Sequence, residues 1–222
     1  MHGGREWLVT PEGVSSRGEG GEPVALHRTR GEPTSMRLYL ALWGRWLLEA
    51  VVAEQVPLAI LLQVLATENG ACRVDENRVH VIPWRKEPGY VSDEATTHRI
   101  SIGPSHILIS SARAAMADPS IDRAWLLDTR NNIRACARFI RNQRQATGYD
   151  PVLVAAAYNA GGLYNALPGT KWGNRWHLRT YGSHLDRALS WYGDAVAALY
   201  EIRELWALDL AGLGRVVTER AA

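Results

Sequence analysis

Apolar residues recur with helical spacing in several stretches of the chain. Residues 38–49 are mostly apolar but interrupted by charge, which predicts an amphipathic core helix carrying Trp43 and Trp46. Residues 57–67 have apolar side chains on nearly every helical face, and such a pattern is typical of a helix buried inside a domain. The second helix is therefore expected to lie deeper than the first.

Two further helices are indicated by their start and stop signals. Residues 151–160 follow Asp150 as a helix cap, place Pro151 in the first helical position and end at glycines. Three successive alanines in this helix allow a neighbouring helix to approach closely. Ser183 and Asp186 resemble a capping box, which predicts that a long helix starts here and runs toward residue 208.

The fold class predicted from these patterns is mostly α, of an α+β type, with one domain over residues 35–210. Residues 1–34 are rich in Gly, Glu, Arg and Ser and lack apolar periodicity, so a flexible N-terminal arm is expected. Residues 211–222 are expected to form a weakly ordered tail. Two β-prone runs, at 78–82 and 96–100, predict a small hairpin beside the helical core.

Glu68 is the one acidic residue at the end of the apolar helix. Positions three, four and seven residues before it are Leu65, Val64 and Leu61, so its side chain leaves an apolar surface. Asn69 and the glycine after it are a helix stop signal, which places Glu68 near the negative end of the helix dipole. Both features predict a raised pKa, as a general acid requires. The alternative is a glutamate that reaches past the helix end to water.

Four segments of the chain carry a family resemblance. They are Glu68-Asn69, residues 101–109 with Gly103 and His106, residues 128–133 with Asn132-Ile133, and the sequence Ala-Tyr-Asn-Ala-Gly at 157–161. In this order they resemble the soluble lytic transglycosylase family of lysozyme-like, peptidoglycan-cleaving proteins. The resemblance covers roughly residues 55–195, and Ala-Tyr-Asn-Ala-Gly is its most specific part.

The chain departs from the family pattern at three points. Asn69 stands where the family usually has Ser, and His106 stands where it has Gln. Glu68 and Gly103 are also 35 positions apart, which is further than usual and indicates an insert beside the cleft. The segment from residue 161 to residue 184 looks most like a subset found in phage and prophage wall-degrading proteins.

The resemblance implies cleavage of the β-1,4 bond between N-acetylmuramic acid and N-acetylglucosamine in peptidoglycan. Glu68 would act first as general acid and then as base, so that the C6 hydroxyl of the substrate closes a 1,6-anhydro ring. The glycan-binding residues implied by the resemblance are Ser101, Gly103, His106, Tyr158, Asn159, Ala160, Gly161 and Tyr181. Trp and Tyr offer a ring face and a polar tip to sugars, which adds Trp84, Trp172 and Trp176 as candidate glycan contacts.

Two alternative functions remain open at the level of sequence. A hydrolytic muramidase would need a second carboxylate, and the candidates are Asp75, Glu76, Asp93 and Glu94 in the insert. A protein of another class would keep the fold without catalysis, as a wall-binding or virion structural component.

Charge and residue spacing bear on partners and cofactors. The net charge is +2 and the basic residues are scattered, so nucleic acid is not expected as a partner. The seven histidines show no zinc-ligand spacing, and neither a metal nor another cofactor is expected. No apolar stretch reaches the ~20 residues that a membrane span needs.

The expected place of action is the periplasm or cell wall. No signal peptide is recognised, so delivery by a holin, a virion or a secretion machine is expected, unless a leader has been removed. Injection by a secretion machine would imply an immunity or inhibitor protein as a partner. Synthesis in a reducing compartment favours buried free thiols at Cys72 and Cys136 over a disulfide between them.

Overall fold

The protein is mostly helical. The computed structural model is 59% helical with small β-sheets, which confirms the predicted mostly-α, α+β class. It describes residues 5–10, 13–18, 20–26, 33–69, 74–75, 78–79, 81–163 and 183–219. The helices in this part of the chain are α1 (Thr34–Glu54), α2 (Leu58–Glu68), α3 (Ile109–Met116), α4 (Arg123–Leu127), α5 (Thr129–Asn142), α6 (Arg144–Thr147), α7 (Pro151–Ala160) and α8 (Ser183–Glu219).

The strands form three small antiparallel sheets in the described residues. The first has the order β1-β2-β3, the second pairs β4 with β5, and the third has the order β6-β7-β8. The strands are β1 (Arg5–Thr10), β2 (Gly13–Gly18), β3 (Val24–Ala25), β4 (Val74–Asp75), β5 (Arg78–Val79), β6 (Trp84–Lys86), β7 (Ile100–Ile102) and β8 (Ile107–Leu108).

Helix α2 forms the centre of the main core, as its apolar pattern predicts. It contacts α1, α5, α7 and α8, and its aliphatic side chains from Ile60 to Leu65 are buried. Burying each such side chain stabilises the fold by roughly 1.5–3 kcal/mol. The one polar side chain among them, Gln63, donates from Nε2 to the Pro151 carbonyl at 2.9 Å. The middle of α2 is therefore hydrogen-bonded to the start of α7.

The cap and stop signals of α7 are confirmed. The Asp150 carboxylate accepts hydrogen bonds from the backbone N–H groups of Val152 at 2.9 Å and Leu153 at 3.0 Å. Gly161 ends the helix with a φ of 75°. The three alanines at 155–157 are buried in a cluster that includes the α8 residues Leu185, Ala188 and Leu189. Their small side chains allow α7 and α8 to pack closely, and Tyr158 near the end of α7 packs against the core.

The N-terminal region contains an ordered β-hairpin, which the sequence analysis did not anticipate. Strands β1 and β2 pair along their full length, and Val14 is buried directly against Gly193 of α8. The Trp7 Nε1–H donates to the Asp186 carboxylate at 3.0 Å. Strands β1 and β2 are thus packed on α8 within the stretch expected to be a flexible arm. The few apolar residues of this stretch find a partner surface that only the tertiary fold supplies.

Helix α8 continues beyond the predicted domain boundary. The boundary is predicted at residue 210, whereas α8 runs to Glu219. Among the residues that the structure describes, no helix is both long and apolar enough to cross a membrane.

The predicted pairing of the two β-prone runs is wrong. Strand β5 pairs with β4, whereas β7 pairs with β6 and places Ile102 opposite Trp84. The first residues of the second run form a turn instead, in which the Thr96 Oγ1–H donates to the Ser92 carbonyl at 2.8 Å. Ile100 and Ile102 are fully buried, so burial of their side chains selects the strand that begins at Ile100.

Candidate active site

Glu68 lies at the last position of α2, in a depression between α2, α7 and α8. Its side chain is partly buried, and the helix ends at Asn69, whose N–H donates to the Leu65 carbonyl at 3.0 Å. The lining residues of the depression are Gln63, Val64, Thr67, Glu68, Ala155, Tyr158 and His184. The carboxyl group is thus surrounded mainly by packed side chains from three helices.

Burial raises the pKa of Glu68 from 4.5 to about 7. Removal of water penalises the carboxylate form, as the apolar pattern of α2 predicts. Two cations, Arg187 of α8 and Arg85 of β6, act in the opposite direction and moderate the rise. At neutral pH the carboxyl group therefore holds its proton for a substantial part of the time and can also lose it.

This pKa predicts how stability depends on pH. Because the folded-state pKa of Glu68 lies above its unfolded value, the native state binds more protons than the unfolded chain between pH 4.5 and about 7. The free energy of unfolding should fall as pH rises through this interval, by at most about 3 kcal/mol from this group. The Glu68→Gln variant has no titrating carboxyl group at this position, so its free energy of unfolding relative to that of the parent should increase with pH. Urea unfolding between about pH 4 and about pH 8 measures this difference, and a pH-independent difference would contradict burial of the carboxyl group.

Tyr158 links α7 to the loop before β8. Its hydroxyl donates to the Ser105 carbonyl at 3.0 Å, and its ring packs edge-on against Phe139 with centroids 5.3 Å apart. Burial raises the pKa of Tyr158, and the nearby Cys136 and Glu68 raise it further. The phenol therefore stays protonated close to Glu68, and its one hydrogen is engaged with the Ser105 carbonyl.

Cys136 is a buried free thiol, as expected, whereas Cys72 lies outside the described residues. Burial raises the pKa of the Cys136 thiol to about 12, although hydrogen bonds with Tyr158 and Ser105 oppose the rise. A neutral thiol at this position supports the Tyr158 hydroxyl without adding charge near Glu68.

Asn132 of α5 holds the loop that carries Ser105. Its Oδ1 accepts from the Ser105 N–H at 3.0 Å and from the Ser105 Oγ–H at 2.7 Å. Its Nδ2 donates to the carbonyls of Ile102 at 2.8 Å and Leu126 at 3.1 Å. Gly103 lies against this amide with a φ of 69°, where a side chain would collide with Asn132. Gly103 thus has a structural reason for being glycine, and it touches the network that positions Ser105.

His106 and Ser101 are both buried in the sheet region. The His106 pKa is lowered chiefly by burial and also by Arg85, while a backbone hydrogen bond with Ile82 opposes this effect. Its Nε2 is buried without a hydrogen-bond partner among the described residues. The Ser101 hydroxyl donates to the Arg85 carbonyl at 3.4 Å and is part of the sheet. Arg85 therefore acts on both His106 and Glu68, whereas Ser101 and His106 do not line the Glu68 depression.

The two candidate second carboxylates in the described side chains are engaged in ion pairs. Asp93 contacts the Arg123 guanidinium at 2.6 Å and accepts from the Tyr90 hydroxyl at 2.7 Å. The Arg123 hydrogen bond is the main cause that lowers the pKa of Asp93. Glu94 is exposed and contacts Arg113 at 3.1 Å.

Other predicted residues vary in how far the structure describes them. Asn159, Ala160 and Gly161 are exposed at the end of α7. Trp84 is 41% exposed on β6, with the Arg123 guanidinium 5.0 Å from its ring centroid. The side chains of Asp75, Glu76, Trp172, Trp176 and Tyr181 lie outside the described residues.

His184 and Arg187 join the site although the sequence analysis did not select them. His184 lines the Glu68 depression, and the Arg187 Nη2 lies 3.3 Å from its Nδ1. Burial and Arg187 lower the pKa of His184, so this imidazole favours the neutral form. Their i, i+3 spacing places both residues on one face at the start of α8. This spacing points to the site only once α8 is known to pack beside α2.

Asn69 adds a further polar group at the end of α2. Its side chain is buried, and neither amide atom has a hydrogen-bond partner among the described residues. Leaving a buried amide without hydrogen bonds is costly, so this side chain is expected to have a partner. No protein-family model and no curated protein matches the chain.

Proposed function

We propose that the protein cleaves the glycan strands of peptidoglycan at the β-1,4 bond after N-acetylmuramic acid, and that it is a lytic transglycosylase. The observation that carries the proposal is Glu68, a carboxyl group at the end of an apolar helix whose pKa is about 7. Tyr158, from the Ala-Tyr-Asn-Ala-Gly sequence, lines the same depression. Two parts of the resemblance that are distant in sequence are therefore adjacent.

In the first step Glu68 protonates the bridging oxygen as the glycosidic bond breaks. The N-acetyl carbonyl oxygen of the muramic sugar attacks the anomeric carbon and stabilises the positive charge that develops there. Burial supports this step because it keeps Glu68 protonated near neutral pH. Catalytic efficiency should then fall as pH rises through the folded pKa of Glu68, since the acid form is lost.

In the second step the Glu68 carboxylate accepts the proton of the C6 hydroxyl. The C6 oxygen bonds to the anomeric carbon, the N-acetyl oxygen leaves it, and a 1,6-anhydro ring closes. Arg187 and Arg85 stabilise the carboxylate formed in the first step, because both lower the pKa of Glu68. The Tyr158 hydroxyl donates to the Ser105 carbonyl, so its oxygen is the proposed acceptor for the N–H of the substrate N-acetyl group. The Asn69 amide is the proposed donor to the same group. One carboxyl group thus serves as acid and then as base.

The products of digestion distinguish this function from its alternatives. Mass spectrometry of peptidoglycan treated with the purified protein should show fragments that end in 1,6-anhydro-N-acetylmuramic acid. Reducing ends would instead favour a hydrolytic muramidase, which adds water. Intact strands in the presence of folded protein would favour a wall-binding or virion structural role.

The same assay tests the second carboxylate. Asp93 and Glu94 form ion pairs with arginines, which favours a structural role for both. Amide variants at Asp75, Glu76, Asp93 and Glu94 should therefore keep most of the activity. A loss of about 10²-fold or more in a folded amide variant, with reducing ends from the parent, would favour the muramidase.

A further inference from the structure

A second groove lies between α1 and α5, apart from the Glu68 depression. Its volume is about 360 Å³, which lies within the range of ligand-binding pockets. Its lining residues are Trp46, Glu49, Ala50, Ala53, Arg130, Asn131 and Arg134. The α1 residues follow the i, i+3, i+4, i+7 spacing of one helix face, and the two alanines leave the space. The groove shares no lining residue with the Glu68 depression.

The α5 side of the groove belongs to a row of arginines. Arg130, Arg134, Arg138 and Arg141 are spaced by four, four and three residues, so they lie along one side of α5. Buried Glu54 pairs with Arg138 and, at 3.4 Å, with Arg141.

Among the described residues, the groove contains one ion pair and one cation without a carboxylate partner. Arg130 contacts Glu49 at 2.9 Å. Arg134 is exposed and has no carboxylate partner among the described residues, so its guanidinium is available to an anionic ligand.

We propose that this groove binds a saccharide of the peptidoglycan strand together with a carboxylate of its peptide stem, outside the segment being cleaved. Trp46 supplies an aromatic surface for a sugar ring, and Asn131 supplies an amide for hydroxyl groups. The Arg134 guanidinium pairs with the carboxylate. The inference rests on the proposed function, which identifies the polymer. A second contact raises the effective concentration of strand at the cleft and retains the protein on the polymer between cuts.

The test measures binding without cleavage, in the full chain carrying Glu68→Gln. The probes are soluble glycan strands with their peptide stems, and the same strands after amidation of their carboxylates. Adding Arg134→Glu should weaken binding to the acidic strands about tenfold or more, because charge repulsion replaces a charge-assisted hydrogen bond. On amidated strands the same substitution should have little effect.

The control is Arg144→Glu, which reverses the charge of an arginine in α6 that is also exposed and does not line the groove. Thermal unfolding confirms that both variants are folded. Equal losses in the two variants, an undiminished affinity of Arg134→Glu, or no binding of strands by the Glu68→Gln chain would each overturn the proposal. A single-stranded oligonucleotide of matched charge tests specificity. If it bound equally tightly, and Arg134→Glu weakened its binding to the same extent, the groove would bind polyanions in general and the saccharide proposal would be overturned.

The two proposals fail in different experiments. Digestion products of the parent protein decide the cleavage reaction, whatever the groove does. Affinity of the cleavage-deficient chain decides the groove, since no product is formed.

Discussion

Glu68→Gln is expected to abolish cleavage of peptidoglycan while the protein remains folded and still binds glycan strands. Glutamine keeps the shape of the side chain but has no proton to donate at neutral pH. Loss of a general acid or base typically costs about 10²-fold to 10⁴-fold in rate, and here one group is asked to serve in both steps. The clearing of a cell-wall suspension and the release of anhydro ends measure the effect.

The matched control for this prediction is Glu201→Gln. Glu201 is an exposed residue of α8 that pairs with Arg37 at 2.7 Å, and exposed ion pairs contribute little to stability. Its amide variant should clear cell walls at the parental rate. Parental activity in a folded Glu68→Gln variant would remove Glu68 from the mechanism and, with it, the proposed reaction.

The local features of the site are readable from sequence because they depend on neighbours along one helix. The apolar faces of α2 predict the burial of Glu68, and that burial raises its pKa to about 7. The signals at Asp150 and Gly161 likewise predict both ends of α7. These signals act within one or two helical turns, so no knowledge of the tertiary fold is needed.

Features that depend on which elements meet could not be predicted in the same way. The hairpin of β1 and β2 packs on α8 through the contact of Val14 with Gly193, and these two residues are far apart in the chain. Arg187 lowers the pKa of Glu68, and His184 lines the depression around it, only because α8 lies beside α2. Pairing of β7 with β6 is likewise selected by burial of its isoleucines in a core that several elements share.

Gly103→Ala is expected to be strongly destabilising, because two independent costs coincide at this position. A φ of 69° is unfavourable for a residue with a side chain and costs about 1–2 kcal/mol. The added Cβ would also lie 2.7 Å from the Asn132 Cγ and 2.9 Å from the Leu126 carbonyl oxygen. Asn132 would have to move, which would leave buried groups such as the Ser105 N–H unpaired at a further cost of about 1–3 kcal/mol.

Gly148→Ala separates the two costs. Gly148 has a φ of 58° with open space around its Cβ position, so alanine there should cost only the conformational part, about 1–2 kcal/mol. The free energy of unfolding measured with urea should be roughly 2 kcal/mol or more lower for Gly103→Ala than for Gly148→Ala. Since Ser105 accepts the Tyr158 hydrogen bond, the folded fraction of Gly103→Ala should also cleave more slowly, whereas Gly148→Ala should cleave normally. If the two variants were equally stable, the hydrogen bonds of Asn132 would be able to rearrange without loss of stability. Ser105 would then not be held rigidly beside Tyr158.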